Sequence, residues 1–139
     1  MPRSSFTDET LPVSDNVYVL GAARTPIGSF QGALASHSAP DLGAHAIRAA
    51  LNASGIADDA VNEVIMGNVI SAGLKQAPAR QAMRSANLAD SVHALTVNKV
   101  CGSGMKATML GHDLIRAGSA GLVVCGGPLG LGRVYPGQV

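Results

Sequence analysis

The feature that most constrains this chain is an abrupt change of pattern across Val97-Asn98-Lys99-Val100-Cys101-Gly102-Ser103-Gly104-Met105-Lys106-Ala107. Before it, Ser91 to Asn98 is a short run of apolar and β-branched residues; after it, Met105 to Ala117 is apolar on nearly all sides and closed by Gly118. Length and composition make the first a strand and the second a buried helix. A strand that drives straight into such a helix points to helices layered on a sheet. The same reading puts Cys101 on the first turn of the helix.

That position has chemical consequences. The first amides of a helix lack intrahelical partners, and the aligned peptide dipoles leave about half a positive charge there, so an anion is stabilised. A free thiol ionises near ~8.5, a helix start lowers that value, and the thiolate is the nucleophile. Gly102 and Gly104 cost about 1 kcal/mol each relative to alanine in a helix. They suit either a substrate approaching the backbone or close packing of the helix, with Cys101 in the latter case a small buried hydrophobe. On residue types alone both readings stand.

The same alternation runs through the rest of the chain. Val17 to Ala22 reads as a buried strand and Arg24 to Ser29 as a loop, in which Arg24 is expected to hold the turn through loop carbonyls. Ser38-Ala39-Pro40-Asp41 carries helix-start chemistry. That helix runs to about Ser54 and stops at Gly55, with Leu42, Ala46, Ile47, Ala50 and Leu51 on one face and Arg48 and Asn52 toward water. Asp58 and Asp59 start a short helical turn, and Glu63 to Ile70 is a strand whose Gly67 reads as a bulge. Ala77 to Ala86 is a second helix with an early proline. Lys75, Arg80 and Arg84 near it form a modest basic cluster, read as a solvated or interface face. Ala120 to Cys125 is a short apolar strand of the kind buried on both faces. Repetition of strand and helix predicts an α/β layered fold with crossover connections.

Composition excludes other classes. The 139 residues are 47% hydrophobic and 14% charged, which fits one globular unit. A net charge of +1 and 3% aromatic residues leave neither an electrostatic footprint nor stacking groups for nucleic acid. His37, His45, His93 and His112 lack metal-ligand spacing, so no metal is expected, and Cys101 and Cys125 make no disulfide framework. No covalently bound cofactor is expected either. Residues 1–16 read as a flexible leader without secretory or mitochondrial character, and no apolar run is long enough for a bilayer, so a cytoplasmic location is the default.

The string Asn98 to Ala107 resembles the acyl-enzyme cysteine motif of the thiolase family, the acetyl-CoA acetyltransferases and 3-ketoacyl-CoA thiolases. Ala22-Ala23-Arg24-Thr25-Pro26-Ile27-Gly28-Ser29-Phe30 is similar to a second family segment, and Gly67-Asn68-Val69 with Gln76 to Ala82 to a third, in the family's order. The resemblance spans Val17 to Gly127 and implies the N-terminal half of a thiolase-like layered α/β fold, with a mixed sheet and a buried cysteine helix. It divides the chain into a leader (1–16), an incomplete thiolase N-terminal domain (17–127) and an atypical Gly/Pro-rich tail (128–139) that departs from the family pattern as a truncated or frame-shifted reading frame would.

The resemblance also implies chemistry. Cys101 is the catalytic residue, taking an acyl group from a coenzyme A thioester, its backbone N–H serving one oxyanion site. Acetyl-CoA or acyl-CoA is the substrate, in lipid metabolism, and the protein is a homo-oligomer. The family's remaining acid/base groups, a His in a Gly-His-Pro motif and a second Cys, belong to its C-terminal half. None of the four histidines here precedes proline, so this chain alone is expected not to turn over.

Three rival readings fit some of the residues. Gly102-Ser103-Gly104-Met105-Lys106-Ala107 formally fits a dinucleotide-binding fingerprint, but the acid required about 20 positions on is absent. A non-catalytic fragment that associates through an uncovered edge at Thr96-Val97-Asn98 is the second. A Cys101–Cys125 redox pair is the third, and it turns on their separation.

Overall fold

The computed structural model describes residues 16–29 and 31–127. The expectations for the leader up to Asp15 and for the tail 128–139 lie outside the described residues. Among the described residues three helices and three strands follow one another as α1 (Ala39–Ser54), β1 (Glu63–Gly67), α2 (Pro78–Ser85), β2 (His93–Val97), α3 (Ser103–Arg116) and β3 (Val123–Gly126), with a 3-10 turn at Asp58–Ala60 before β1.

Short-range chemistry sets the limits of α1. The Ser38 hydroxyl accepts the Asp41 N–H at 3.2 Å, and the Asp41 carboxylate accepts the Ser38 N–H at 3.1 Å, so two orphan donors are satisfied reciprocally. These Ser38 hydrogen bonds hold the Asp41 carboxyl below its ordinary value. At the other end Gly55 takes φ +68°, a left-handed conformation in which its N–H caps the Leu51 and Asn52 carbonyls. α2 lacks a side-chain cap at Ala77; instead Thr96 of β2 accepts the Ala79 N–H at 3.0 Å.

The strands lie in the order β2-β1-β3, and both pairings are parallel. The sheet is therefore parallel throughout the described residues, not mixed. Each strand is joined to the next by a helical crossover, which returns the chain to the end it started from. Alternate residues of β1 serve opposite faces. Val64 and Met66 pack with Ile47, Leu51, Ala82 and Met83 of α1 and α2 in one buried cluster. Ile65 and Gly67 face α3, in register with Leu95 and Val97 of β2, and Ile65 also with Cys125 of β3. Full burial of side chains such as Val64 and Ile65 contributes about 1.5–3 kcal/mol each.

Polar side chains fasten the loops. Asn62 Oδ1 accepts the N–H groups of Gly121 and Leu122 at 2.7 and 2.9 Å, while its carbonyl accepts the His93 N–H at 3.0 Å, tying the amino ends of all three strands together. Arg48, expected to face water, is half-buried, pairs with Asp58 at 2.7 Å and donates to the Ala86 carbonyl. Arg80 and Arg84, expected as a solvated or interface face, have solvent-exposed side chains and also hold the loop before β2. Arg80 donates to the Val92 and Asp90 carbonyls, and Arg84 pairs with Asp90 at 2.9 Å.

Four further expectations are corrected. Val17 to Ala22 is no strand: Tyr18, Val19 and Leu20 are exposed, and the segment passes α1 near Ala50 and Ser54 rather than a sheet edge, so its backbone has no strand to pair with. Arg24 is exposed and bonds no carbonyl among the described residues. β1 ends at Gly67 without a bulge. There a Cβ would lie 2.7 Å from Ser103 Cβ and 2.9 Å from the Gly104 nitrogen, so the glycine admits the start of α3. Finally, α3 is buried on one face only. Ser103, Ala107 and Gly111 press on the sheet while Met105 and Met109, on the opposite face, are 72% and 50% exposed, because nothing among the described residues forms a layer beyond them. No described helix is long and apolar enough to cross a membrane.

Candidate active-site turn

Residues Asn98 to Ser103 join β2 to α3 by a tight turn at the carboxyl end of the sheet. Helix α3 begins at Ser103 with Gly102 as its N-cap. Cys101 therefore sits one residue before the cap, not on the first turn, and its side chain is exposed. The turn closes through Gly102 N–H to the Lys99 carbonyl at 3.0 Å and Ser103 N–H to the Val100 carbonyl at 3.1 Å. Asn98 Oδ1 accepts the Val100 N–H at 3.0 Å, and Asn98 Nδ2 reaches the Val69 carbonyl at 3.3 Å. Val100 adopts φ +49°. That is a true outlier for a β-branched residue and costs on the order of 1–3 kcal/mol, which the surrounding hydrogen bonds must offset.

Of the polar residues described, the two that are buried, Asn68 and Ser103, belong to this same end of the molecule. Asn68 follows β1, its N–H donating to the Val97 carbonyl at 2.9 Å and its Nδ2 to the Ser71 hydroxyl at 2.7 Å. Its Oδ1 is buried without a hydrogen-bond partner among the described residues. An unmet acceptor of this kind costs about 1–3 kcal/mol. Sequence reading passed over Ser103 as part of a glycine-rich run. The available signal was a hydroxyl two residues past a cysteine at a helix start, where side-chain oxygens compete for backbone donors.

The two glycines of the motif differ. A Cβ on Gly104 would lie 3.3 Å from the Gly127 carbonyl oxygen, so this glycine permits close helix–strand packing. Around Gly102 a Cβ would meet only Lys99, its carbonyl oxygen at 3.4 Å, leaving that side open beside Cys101.

Cys125 occupies another environment. It lies within β3 against Gly111, two turns along α3 from Ser103, which is roughly 12 Å of helix rise. Both thiols are free, and the structure holds no Cys101–Cys125 disulfide. Burial pushes the Cys125 thiol up to about 11. No described imidazole or carboxylate bonds the Cys101 thiol; His112 pairs with Asp113 farther along α3, and His37 stacks edge-on against His45 at α1. Among the described residues no group of His, Cys, Asp and Glu is arranged to hold a metal. An open cavity of about 450 Å³ lined by Asn62, Glu63 and His93 lies at the amino ends of the strands, the far end from Cys101. In parallel sheets ligands bind at the carboxyl ends, which favours the turn.

The profile of the family described as "Thiolase, N-terminal domain" matches residues 17–135, and this chain belongs to that family. The match continues into the tail beyond Gly127. An acetyl-CoA acetyltransferase of Escherichia coli is 54% identical over 112 residues, which are 81% of this chain and 28% of that protein. Similar figures hold for the acetyl-CoA acetyltransferases of Cupriavidus necator, at 53% identity with the same coverage, and of Saccharomyces cerevisiae, at 51% over 83% of this chain and 29% of the relative. The chain thus spans just over a quarter of the length of these relatives. Among solved structures, Acat5 thiolase from Ascaris suum, in complex with coenzyme A, superposes with a TM-score of 0.73 at 44% identity, over 74% of this chain and 27% of that one. Family membership accounts for the Gly102-x-Gly104 pattern without a dinucleotide.

Proposed function

We propose that this chain carries the acyl-accepting part of a thiolase, with Cys101 as the nucleophile and an acyl-coenzyme A as the acyl donor. The observation that carries the reading is the placement of Cys101. Within the family's cysteine motif, it is the thiol exposed on a turn at the carboxyl end of a parallel sheet, beside the open side of Gly102. In the step, the Cys101 sulfur forms a bond to the acyl carbon as the bond from that carbon to the coenzyme A sulfur breaks, and the thiol proton passes to the departing coenzyme A. The Cys101 N–H is assigned to the developing oxyanion. Coenzyme A enters as substrate, and no further cofactor is required.

Groups that move the protons of later steps typically contribute about 10² to 10⁴-fold each, and the described residues place none against Cys101. We expect the 139-residue chain by itself to take up one acetyl group without forming acetoacetyl-CoA. Homo-oligomeric assembly, a cytoplasmic location and a place in lipid metabolism are part of the same proposal. Incubation with acetyl-CoA followed by intact mass, peptide mapping and product analysis tests it. Acetyl on Cys101, absent in Cys101→Ala, is expected; label on Cys125 alone, or none, overturns the assignment. Sustained turnover by this chain would overturn the account of the missing groups. The exposed Met105 and Met109 favour a second reading for the chain in isolation, a self-associating piece without catalysis.

A further inference from the structure

We propose that Ser103 is a positioning residue for Cys101: its buried hydroxyl fastens the turn at Lys99 and Val100 together and so holds Val100 in the left-handed conformation from which the thiol is presented. The inference rests on Cys101 being the acyl-accepting thiol, and it concerns a side chain assigned no contact with either the acyl group or coenzyme A.

Five non-glycine residues have positive φ among those described, and Val100 is the β-branched one. Such a residue leaves that region unless its neighbours over-determine it. Its N–H is held by Asn98, but that side chain is exposed and water competes for the bond. The Val100 carbonyl is held differently. Ser103 Oγ donates to it at 2.6 Å while accepting the Lys99 N–H at 2.9 Å, so one hydroxyl uses its donor and an acceptor site within the turn. Ser103 has no exposed surface, and bonds screened from water are stronger. The residue is itself fixed, as the first of α3 with its Cβ over Gly67, so the clamp refers the turn to the end of the central strand. Cys101 follows Val100 directly. Release of Val100 to a negative φ rotates the thiol away from its outward position.

A double-mutant cycle separates this role from packing. Ser103→Ala removes the hydroxyl clamp while keeping the Ser103 N–H bond to the Val100 carbonyl, and Val100→Gly removes the need for the clamp, because glycine adopts a positive φ unaided. The full chain and the three variants are treated with iodoacetamide at neutral pH, and the rate at Cys101 is read by peptide mapping with Cys125 as a reporter of folding. Ser103→Ala is expected to lower the Cys101 rate by about fivefold or more in the native background, and by less than about twofold in the Val100→Gly background. An equal factor in both backgrounds, or a Ser103→Ala rate within about twofold of the native chain, overturns the inference. If Ser103→Ala alone unfolds the chain, seen as Cys125 labelling as fast as in urea, the double variant decides. Recovery of protection at Cys125 supports the clamp, and an equally unfolded double variant overturns it. Acetyl-CoA labelling is run in parallel. A sound alkylation cycle with no acetyl uptake by any chain leaves the role of Ser103 standing and removes the acyl-transfer reading; acetyl uptake with a flat cycle does the reverse.

Discussion

Replacing Gly67 by alanine tests whether close approach of α3 to the end of β1 is what orders the turn. The added Cβ would lie 2.7 Å from Ser103 Cβ, 2.8 Å from the Ser103 carbonyl carbon and 2.9 Å from the Gly104 nitrogen. Two of the three are backbone atoms of a helix start, so no side chain can swing aside. Relief requires α3 to lift from the sheet, which loosens Ala107 and Gly111 along the same face. Overpacking of this kind costs about 1–3 kcal/mol, and the rigidity of the obstructing atoms puts the expectation near about 3. With a urea slope of about 2 kcal/mol/M, the unfolding midpoint drops by about 1.5 M. Gly55→Ala is the control. It meets nothing within 4 Å but must hold φ +68°, which costs about 1 kcal/mol from backbone strain alone. Urea unfolding followed by circular dichroism measures both. A Gly67→Ala chain no less stable than Gly55→Ala would refute the reasoning, since the glycine would then have no role in admitting the helix.

Cys101 should be alkylated faster than Cys125 at neutral pH. Cys125 labelling should rise only as pH approaches about 11, because burial disfavours its thiolate; equal labelling at pH 7 in the folded chain contradicts this. The same shift makes folding stability fall as pH rises from 9.0 toward about 11, since the unfolded thiol ionises first, and urea midpoints across that range read it. Ser38→Ala should cost about 1 kcal/mol by removing the helix cap, with loss of the acid-side stability that the depressed Asp41 supplies as pH falls below 3.8. The chain alone should form dimers or larger species at micromolar concentration through the Met105–Met109 face, and Met105→Lys with Met109→Lys should shift light scattering toward the monomer.

What was legible in the sequence followed from distance along the chain. Ser38, Asp41 and Gly55 act on neighbours within one turn, so the limits of α1 could be read directly. The strand at Val17 to Ala22 could not, because a strand exists only where another strand offers its edge. Gly67 was visible as an anomaly within a strand, but what approaches it comes from 36 residues away in sequence, and the reading as a bulge missed that. Cys101 stood out in the sequence as a thiol at a helix start, yet the reading placed it on the first turn; the extra bend made by Val100 holds it before the cap, where it is exposed. The hydrogen bonds of Ser103 leave no periodic trace, which is why the residue was passed over. The methionines of α3 marked it as apolar all round, but composition says only that a face wants cover, not which chain supplies it.

The tie made by Asn62 has a consequence for synthesis. Its amide oxygen waits for Leu122, 60 residues later, and β3 pairs with β1 across the same gap. At about 5–20 residues per second of translation, one margin of the central strand stays bare for several seconds after it emerges from the ribosome. During that interval the nascent chain offers neighbouring copies a row of unsatisfied amides and carbonyls. Faster completion of the stretch through Gly126 would shorten this window, so the yield of correctly paired protein should depend on translation speed across the segment between Asn62 and Gly126.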